Sequence, residues 1–217
     1  MKLRKLIRKR DRRRKARARQ YRKWTKTRKR GHLRAFHKHD QAVKKLNRLI
    51  AAERKRRNLA KVYTREEWGA KDPNGSFARQ TTLKAGVQHH TAMPTLPADA
   101  SVADEKARMR DLQGIHQVTN GWTDIGYALV CFPSGRIYEG RPAKFVGAHT
   151  LGHNTGYAGW SLDGNYETDK PTKAAIKACH RCREILGVAD KPLYGHFELN
   201  ATSCPGKHLK PHLRKEI

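Results

Sequence analysis

Tyr194-Gly195-His196, followed by Thr202-Ser203-Cys204-Pro205-Gly206, sets a histidine and a cysteine close enough in the chain to reach one ion. Far upstream, Gln88-His89-His90-Thr91-Ala92 adds a histidine pair at the end of an apolar-leaning run. Two histidines and one thiolate would hold zinc and leave the fourth tetrahedral position open to water, as catalytic sites do. The His196 and Cys204 pair taken alone fits a closed structural site equally well. Hydrolysis at an open site also needs a group to orient water and a group to stabilise an oxyanion. Tyr127, in Trp122-Thr123-Asp124-Ile125-Gly126-Tyr127, offers a phenol at the start of a strand, and Thr202 offers a hydroxyl beside Cys204.

Outward from these residues the chain alternates strand and helix signals. Lys84–Gln88 reads as a short strand leading into the histidine pair. Ser101-Val102-Ala103-Asp104 opens a helix, with acids in its first turn and Met109, Leu112 and Ile115 or His116 on one side, closed by Gly121-Trp122. Tyr127–Phe132, the turn Pro133-Ser134-Gly135 and Arg136–Glu139 read as a hairpin, and Gly156–Leu162 as a further strand. Pro171-Thr172 opens a helix ending at Leu186-Gly187, and a short helix or turn follows the loop at Cys204. The order predicts an α/β domain, a mixed central β-sheet flanked by helices. Of the four cysteines, Cys179 and Cys182 lie on the apolar stripe Ile176, Cys179, Cys182, Ile185, Leu186 and read as small core residues; no second pair completes a zinc ribbon.

Charge separates the chain into two parts. Residues 1–60 hold 27 Lys and Arg against three acids, a net of +24, and residues 61–217 hold 21 against 16, a net of +5. The formal +29 of the 217-residue chain thus describes an arm, with the boundary placed near Lys61. Residues 1–31 are expected to be disordered or partly helical in isolation, because like charges oppose compaction. Gly31 marks a break. Leu33, Phe36, Val43, Leu46, Leu49 and Ile50 then outline an amphipathic helix to about Leu59, giving a basic helical N-terminal arm before a catalytic domain over 61–217. Arg12, Arg13, Arg14, Lys29 and Arg30 are candidate contacts to polyanions: wall teichoic acids, anionic lipid headgroups, lipopolysaccharide or, nonspecifically, nucleic acid. Tyr21, Trp24 and Phe36 are too widely spaced for a base-stacking platform. No window approaches a membrane span, and Leu3, Leu6 and Ile7 are too diluted by Arg and Lys for a signal peptide.

The chain resembles the zinc-dependent N-acetylmuramoyl-L-alanine amidases that share a fold with peptidoglycan recognition proteins and phage amidase-type lysozymes. The resemblance runs from about Tyr63 to Leu209. It rests on Arg65-Glu66-Glu67-Trp68-Gly69-Ala70, His89-His90-Thr91, Asp124-Ile125-Gly126-Tyr127 and Gly135-Arg136-Ile137-Tyr138-Glu139-Gly140-Arg141. Gly147-Ala148-His149, Gly152-His153-Asn154, Gly164-Asn165-Tyr166 and the segment from His196 to Gly206 continue it in the family's order. The resemblance implies that His89, His196 and Cys204 ligate Zn2+, with Tyr127 and Thr202 catalytic. His90, His149 and Asn154 are candidates for the substrate side, with His90 also readable as a packing residue behind the ligands. The implied substrate is peptidoglycan, cut between N-acetylmuramic acid and the first L-alanine of the stem peptide.

Some positions depart from the family. Ala128 replaces the usual His or Asn after Tyr127, and Asp163 stands where an apolar residue is normal. The cysteine pair common in animal recognition proteins has no counterpart, which favours a phage or bacterial origin. The expectation is a monomeric, endolysin-like enzyme kept in the host bacterial cytoplasm until lysis and then acting on the cell wall. A bacterial autolysin or a noncatalytic peptidoglycan-binding module are the alternatives.

Overall fold

Arg, Lys, Ala and Leu are strong helix formers, and no proline interrupts the first 72 residues. The computed structural model describes residues 3–27 and 30–214, and the chain divides into two compact units, Met1–Ala60 and Lys61–Ile217. In the first unit α1 (Leu3–Thr27) packs along α2 (Arg30–Ala60). The basic tract, expected to be disordered or partly helical in isolation, is helical here, and α2 supplies it with partners. Arg17 Nη1 donates to Asp40 Oδ1 at 2.6 Å, Arg13 meets His39 Nδ1 at 3.1 Å, and the Tyr21 and Phe36 rings lie 5.4 Å apart.

Val43, Leu46 and Ile50 are buried in this unit, but Leu49 is exposed, about 100° around the helix from Ile50 and off the stripe. The break expected at Gly31 lies just ahead of it, since α1 ends at Thr27 and α2 begins at Arg30. Gly31 itself sits in the first turn of α2, where backbone N–H groups have no intrahelical partner in any case.

The second unit is built on a six-stranded sheet. Its strands are β1 (Val62–Tyr63), β2 (Ala85–His90), β3 (Leu129–Cys131), β4 (Ile137–Glu139), β5 (Tyr157–Leu162) and β6 (Leu193–Gly195). Their order is β1-β4-β3-β5-β2-β6. Only the β3–β4 hairpin is antiparallel; the other pairings are parallel, so the sheet is mixed, as expected. β2 lies between β5 and β6 and is buried at all six positions, which is why it reads as a run and not as an alternation. A Cβ at Gly86 would come within 2.7 Å of the Trp160 ring, so that ring can cross β2 only at a glycine.

Alternation along β3 sorts the core into two layers. Leu129 and Cys131 join Trp160, Leu162 and the buried side of α5 (Lys173–Ile185), including Cys179 and Cys182. Val130 and Phe132 join Tyr138, Trp68 of α3 (Arg65–Trp68) and Met109 and Leu112 of α4 (Val102–Gly114). Reciprocal capping starts α4, Ser101 Oγ accepting from Asp104 N and the Asp104 carboxylate from Ser101 N. Past α4 the chain makes a π-helical turn, Ile115–Thr119, before Gly121. All four cysteines are free and buried. Asp163 does not loosen the packing: fully buried, it pairs with Arg108 Nη1 at 3.2 Å and accepts from Thr91 Oγ1 at 3.3 Å.

Candidate metal centre and groove

β2 carries His89 near its C-terminal end, in register with Ser161 of β5, which in turn pairs with Val130 of β3. β6 ends at Gly195, so the next residue, His196, enters the same end of the sheet from a short 3-10 turn. Cys204 arrives from the loop that follows. The parallel register and this loop bring His89, His196 and Cys204 together, with one donor atom from each lying within 4.8 Å of the others. Among the described residues this is the one such cluster.

The hydrogen bonds assign the ring nitrogens. His149 Nε2 faces the Tyr157 carbonyl at 3.4 Å, leaving its Nδ1 as an acceptor for Thr150 Oγ1 at 2.8 Å and His89 Nε2 at 3.2 Å. His89 therefore keeps the lone pair of Nδ1, which lies 3.7 Å from Cys204 Sγ. That spacing is close to the roughly 3.5 Å implied by tetrahedral Zn–S and Zn–N bonds of about 2.3 and 2.0 Å. His196 Nε2 donates to Asn200 Oδ1 at 3.1 Å and likewise keeps Nδ1 free. Such outer hydrogen bonds fix ring orientation and tautomer in metal sites.

Electrostatics suit the same set. Burial holds His89 well below the ordinary histidine range, helped by His149 and His196, and burial also lowers His196. Both rings are thus kept neutral, the state that ligates. Burial pushes the Cys204 thiol up to about 12, against the pull of the His90 backbone N–H at 3.4 Å. A thiol so placed ionises at neutral pH only beside a cation. Two neutral imidazoles and a sulfur that calls for a cation fit a soft divalent ion.

Tyr127 stands over the cluster with its ring 5.2 Å from that of His89, and burial raises its phenol above the usual range. Thr202 is exposed, and its Oγ1 accepts from Cys204 N at 3.2 Å, so it also shapes the loop carrying the sulfur. A cavity of about 490 Å³ opens beside His196, lined by Trp122, Leu151, Asn154, Asn200 and Thr202 among others. Asn154 borders it while its Oδ1 accepts from the backbone N–H groups of His149 and Thr150 at 2.8 and 3.0 Å. His149 is buried behind His89, and His90 is buried with its Nδ1 accepting from Tyr166 N at 3.1 Å.

Three contributors escape sequence reasoning: the His149–His89 contact, Asn200, and the buried Ser161 hydroxyl. Ser161 Oγ is buried on the strand beside His89, facing the Tyr127 phenol. One signal for His149 is present in Gly147 and Gly159. A Cβ at either would come within 2.5 Å of its ring, so both glycines form its slot. In the arm Arg12, Arg14 and Arg30 are exposed and Arg13 is half-buried against His39, whereas Lys29 lies outside the described residues.

A mixed sheet between helices, with a donor cluster at the C-terminal ends of its parallel strands, defines the class of the peptidoglycan recognition protein and amidase fold. Drosophila PGRP-LB superposes with a TM-score of 0.63 at 32% identity, covering 69% of this chain and 89% of that one. Peptidoglycan recognition protein-LE in complex with tracheal cytotoxin gives 0.62 at 33%, covering 67% and 88%. Residues 79–207 match the N-acetylmuramoyl-L-alanine amidase family model, and the chain belongs to that family. It is 39% identical over 160 residues to the N-acetylmuramoyl-L-alanine amidase of Homo sapiens, a match spanning 70% of this chain and 28% of that protein. Peptidoglycan-recognition protein SC2 of Drosophila melanogaster is 30% identical over 161 residues, spanning 70% and 84%.

Proposed function

We propose that the chain is a zinc-dependent peptidoglycan amidase that cleaves between N-acetylmuramic acid and L-alanine of the stem peptide. The observation that carries this reading is the convergence of His89, His196 and Cys204 donors beneath Tyr127, at the edge of an open cavity. Zinc held by these three would supply a water of lowered pKa and a Lewis acid for the scissile carbonyl. The chain's own residues do the rest. His149 and Asn200 hold the ligand rings in register. The Tyr127 phenol, kept protonated by burial, donates to the developing oxyanion. Thr202, on the cavity wall, supplies a second hydroxyl from the loop it braces.

The arm is read as an anchor to the anionic cell envelope, and the molecule as a lytic enzyme of phage type. Free, buried cysteines in place of the animal cysteine pair support that origin. A noncatalytic binding module is the second reading, favoured by relatives that are named recognition proteins. Incubation of the full chain with peptidoglycan separates the two. Release of stem peptides with a free L-alanine amine, no new reducing ends and abolition by chelator is the expected result. Binding without release sinks the enzymatic reading, and new reducing ends would make the reaction glycosidic.

A further inference from the structure

The family match begins at residue 79, so the arm owes nothing to it and its surface has to be read by itself. On α1 the residues Arg8, Arg12, Lys15, Arg19, Arg22 and Lys26 follow one another at alternating steps of four and three. That spacing puts all six on one face, and each of the six is exposed. Successive members rise about 5 Å along the axis, so the row is roughly 27 Å long. None of the six makes an ion pair among the described residues; the acids that do pair in the arm take Arg10, Arg17 and Lys44. With three acids among sixty residues, intramolecular pairing leaves most of the arm's cations unneutralised.

We infer that this row is a docking surface for a linear phosphodiester polymer, namely a polyol-phosphate chain of the wall in which the amidase's substrate lies. The choice of wall polymer rests on the amidase reading; the row's fit to a line of phosphates does not. A straight file of cations matches a file of anions, and arginine's fork pairs with phosphate oxygens two at a time. A lipid surface is disfavoured because a helix lying in it needs an apolar face beside its cations. Here Val43, Leu46 and Ile50 are buried, which leaves Tyr21 and Leu49 as the large exposed apolar residues of the arm among those described. The exposed cations of α2 make a poorer track: Arg34, Lys38, Lys45 and Arg48 are interrupted by Gln41, and Asp40 stands next to it.

The test uses the full chain and poly(glycerol phosphate). Six contacts predict a log–log salt slope of about −4, so affinity falls by roughly several hundred-fold between 50 and 200 mM salt. A slope shallower than −2 overturns the proposal without any variant. Replacing Arg12, Lys15, Arg19 and Arg22 by Gln, itself a good helix former, should weaken binding by roughly 100-fold and reduce the slope by about three. Replacing Arg34, Lys38, Lys45 and Arg48 by Gln removes equal charge and should cost at least tenfold less; equal losses would mean diffuse attraction and no row.

Source is decided on isolated walls. Stripping their phosphate polymers should release the chain, while nuclease treatment should not. Retention on stripped walls, release by nuclease, or equal affinity for phosphatidylglycerol vesicles at matched phosphate would each reject the wall polymer. Peptide release from soluble fragments should be unchanged in both quadruple variants, so failure of this inference and failure of the amidase reading are seen separately.

Discussion

The two units handle charge in opposite ways. The domain buries acids and surrounds them: Glu105 accepts from Ser134 Oγ and Tyr138 OH and pairs with Arg136, while Asp124 accepts from Gln113 Nε2 and pairs with Arg65. There a charge is a positional device, little screened by salt, and removing one partner leaves the other uncompensated. The arm turns its cations outward, with Arg8 to Lys26 in a file and three acids in sixty residues. Its charge acts at a distance and fades with ionic strength. One unit should therefore respond to chelation, packing and pH, the other to salt.

The strongest way to break this contrast is at the sulfur. Cys204→Ser should lose bound zinc and lower peptide release by about 10³-fold or more, while binding of poly(glycerol phosphate) stays as it was. Full zinc content and turnover in that variant would require a new ligand set. Tyr127→Phe should keep zinc but lower kcat by about 10²- to 10³-fold, the usual scale for one oxyanion donor. A change confined to KM would remove Tyr127 from the chemistry.

Acid sharpens the contrast further. Burial, then Arg141, lowers His116 to about 4, and its Nδ1 accepts from Gly126 N at 3.2 Å. The unfolded chain takes up that proton near pH 6.5 and the fold does not. The domain should thus be fully supported above pH 6.5 and lose up to about 3 kcal/mol as pH falls towards 4. Asp163, raised to about 6 by burial, works against this, because between pH 6 and 4 the fold keeps a proton that the unfolded chain releases. Denaturant unfolding of His116→Gln should show a flatter acid limb; an unchanged limb would dismiss His116 as a source.

Smaller effects follow. His149→Ala should weaken zinc binding by about 10- to 100-fold through loss of the contact to His89, measured by chelator competition. Leu49→Ser, on the exposed side of α2, should change stability by less than about 0.5 kcal/mol, whereas Leu46→Ala in the buried seam should cost clearly more.

Much of the fold is legible because local signals agree with their surroundings. Ser101 and Thr172 mark helix starts with their own side chains, and Thr172 Oγ1 accepts from Ala175 N as an N-cap should. The Pro133-Ser134-Gly135 turn lies between β3 and β4, with Gly135 at φ +88°. The donors His89, His196 and Cys204 stand in motifs distinctive enough to be picked out, although their meeting depends on parallel pairings that no spacing encodes. What stayed hidden was mostly long-range. His149 acquires meaning only once β5 and β2 are in register, and Arg13 and Arg17 of α1 find His39 and Asp40 only once α2 packs beside them, whereas Asn200 lies four residues from His196 but stands in no distinctive motif. Asp163 looked misplaced because Arg108, 55 residues away, is invisible to local reading.

The span between His89 and Cys204 has a consequence in time. The two donors lie 115 residues apart, and the strand bearing the first waits for β6, the last strand, as its neighbour. At about 5–20 residues per second, a ribosome needs roughly 6–23 seconds to supply the third donor after the first has been made. Through that interval the nascent chain holds an incomplete donor set, so under the proposed ligation a metal captured early would be weakly held and exchangeable. On the amidase reading, competence for hydrolysis would arrive late and all at once, a timing fixed by where the three donors fall along the chain.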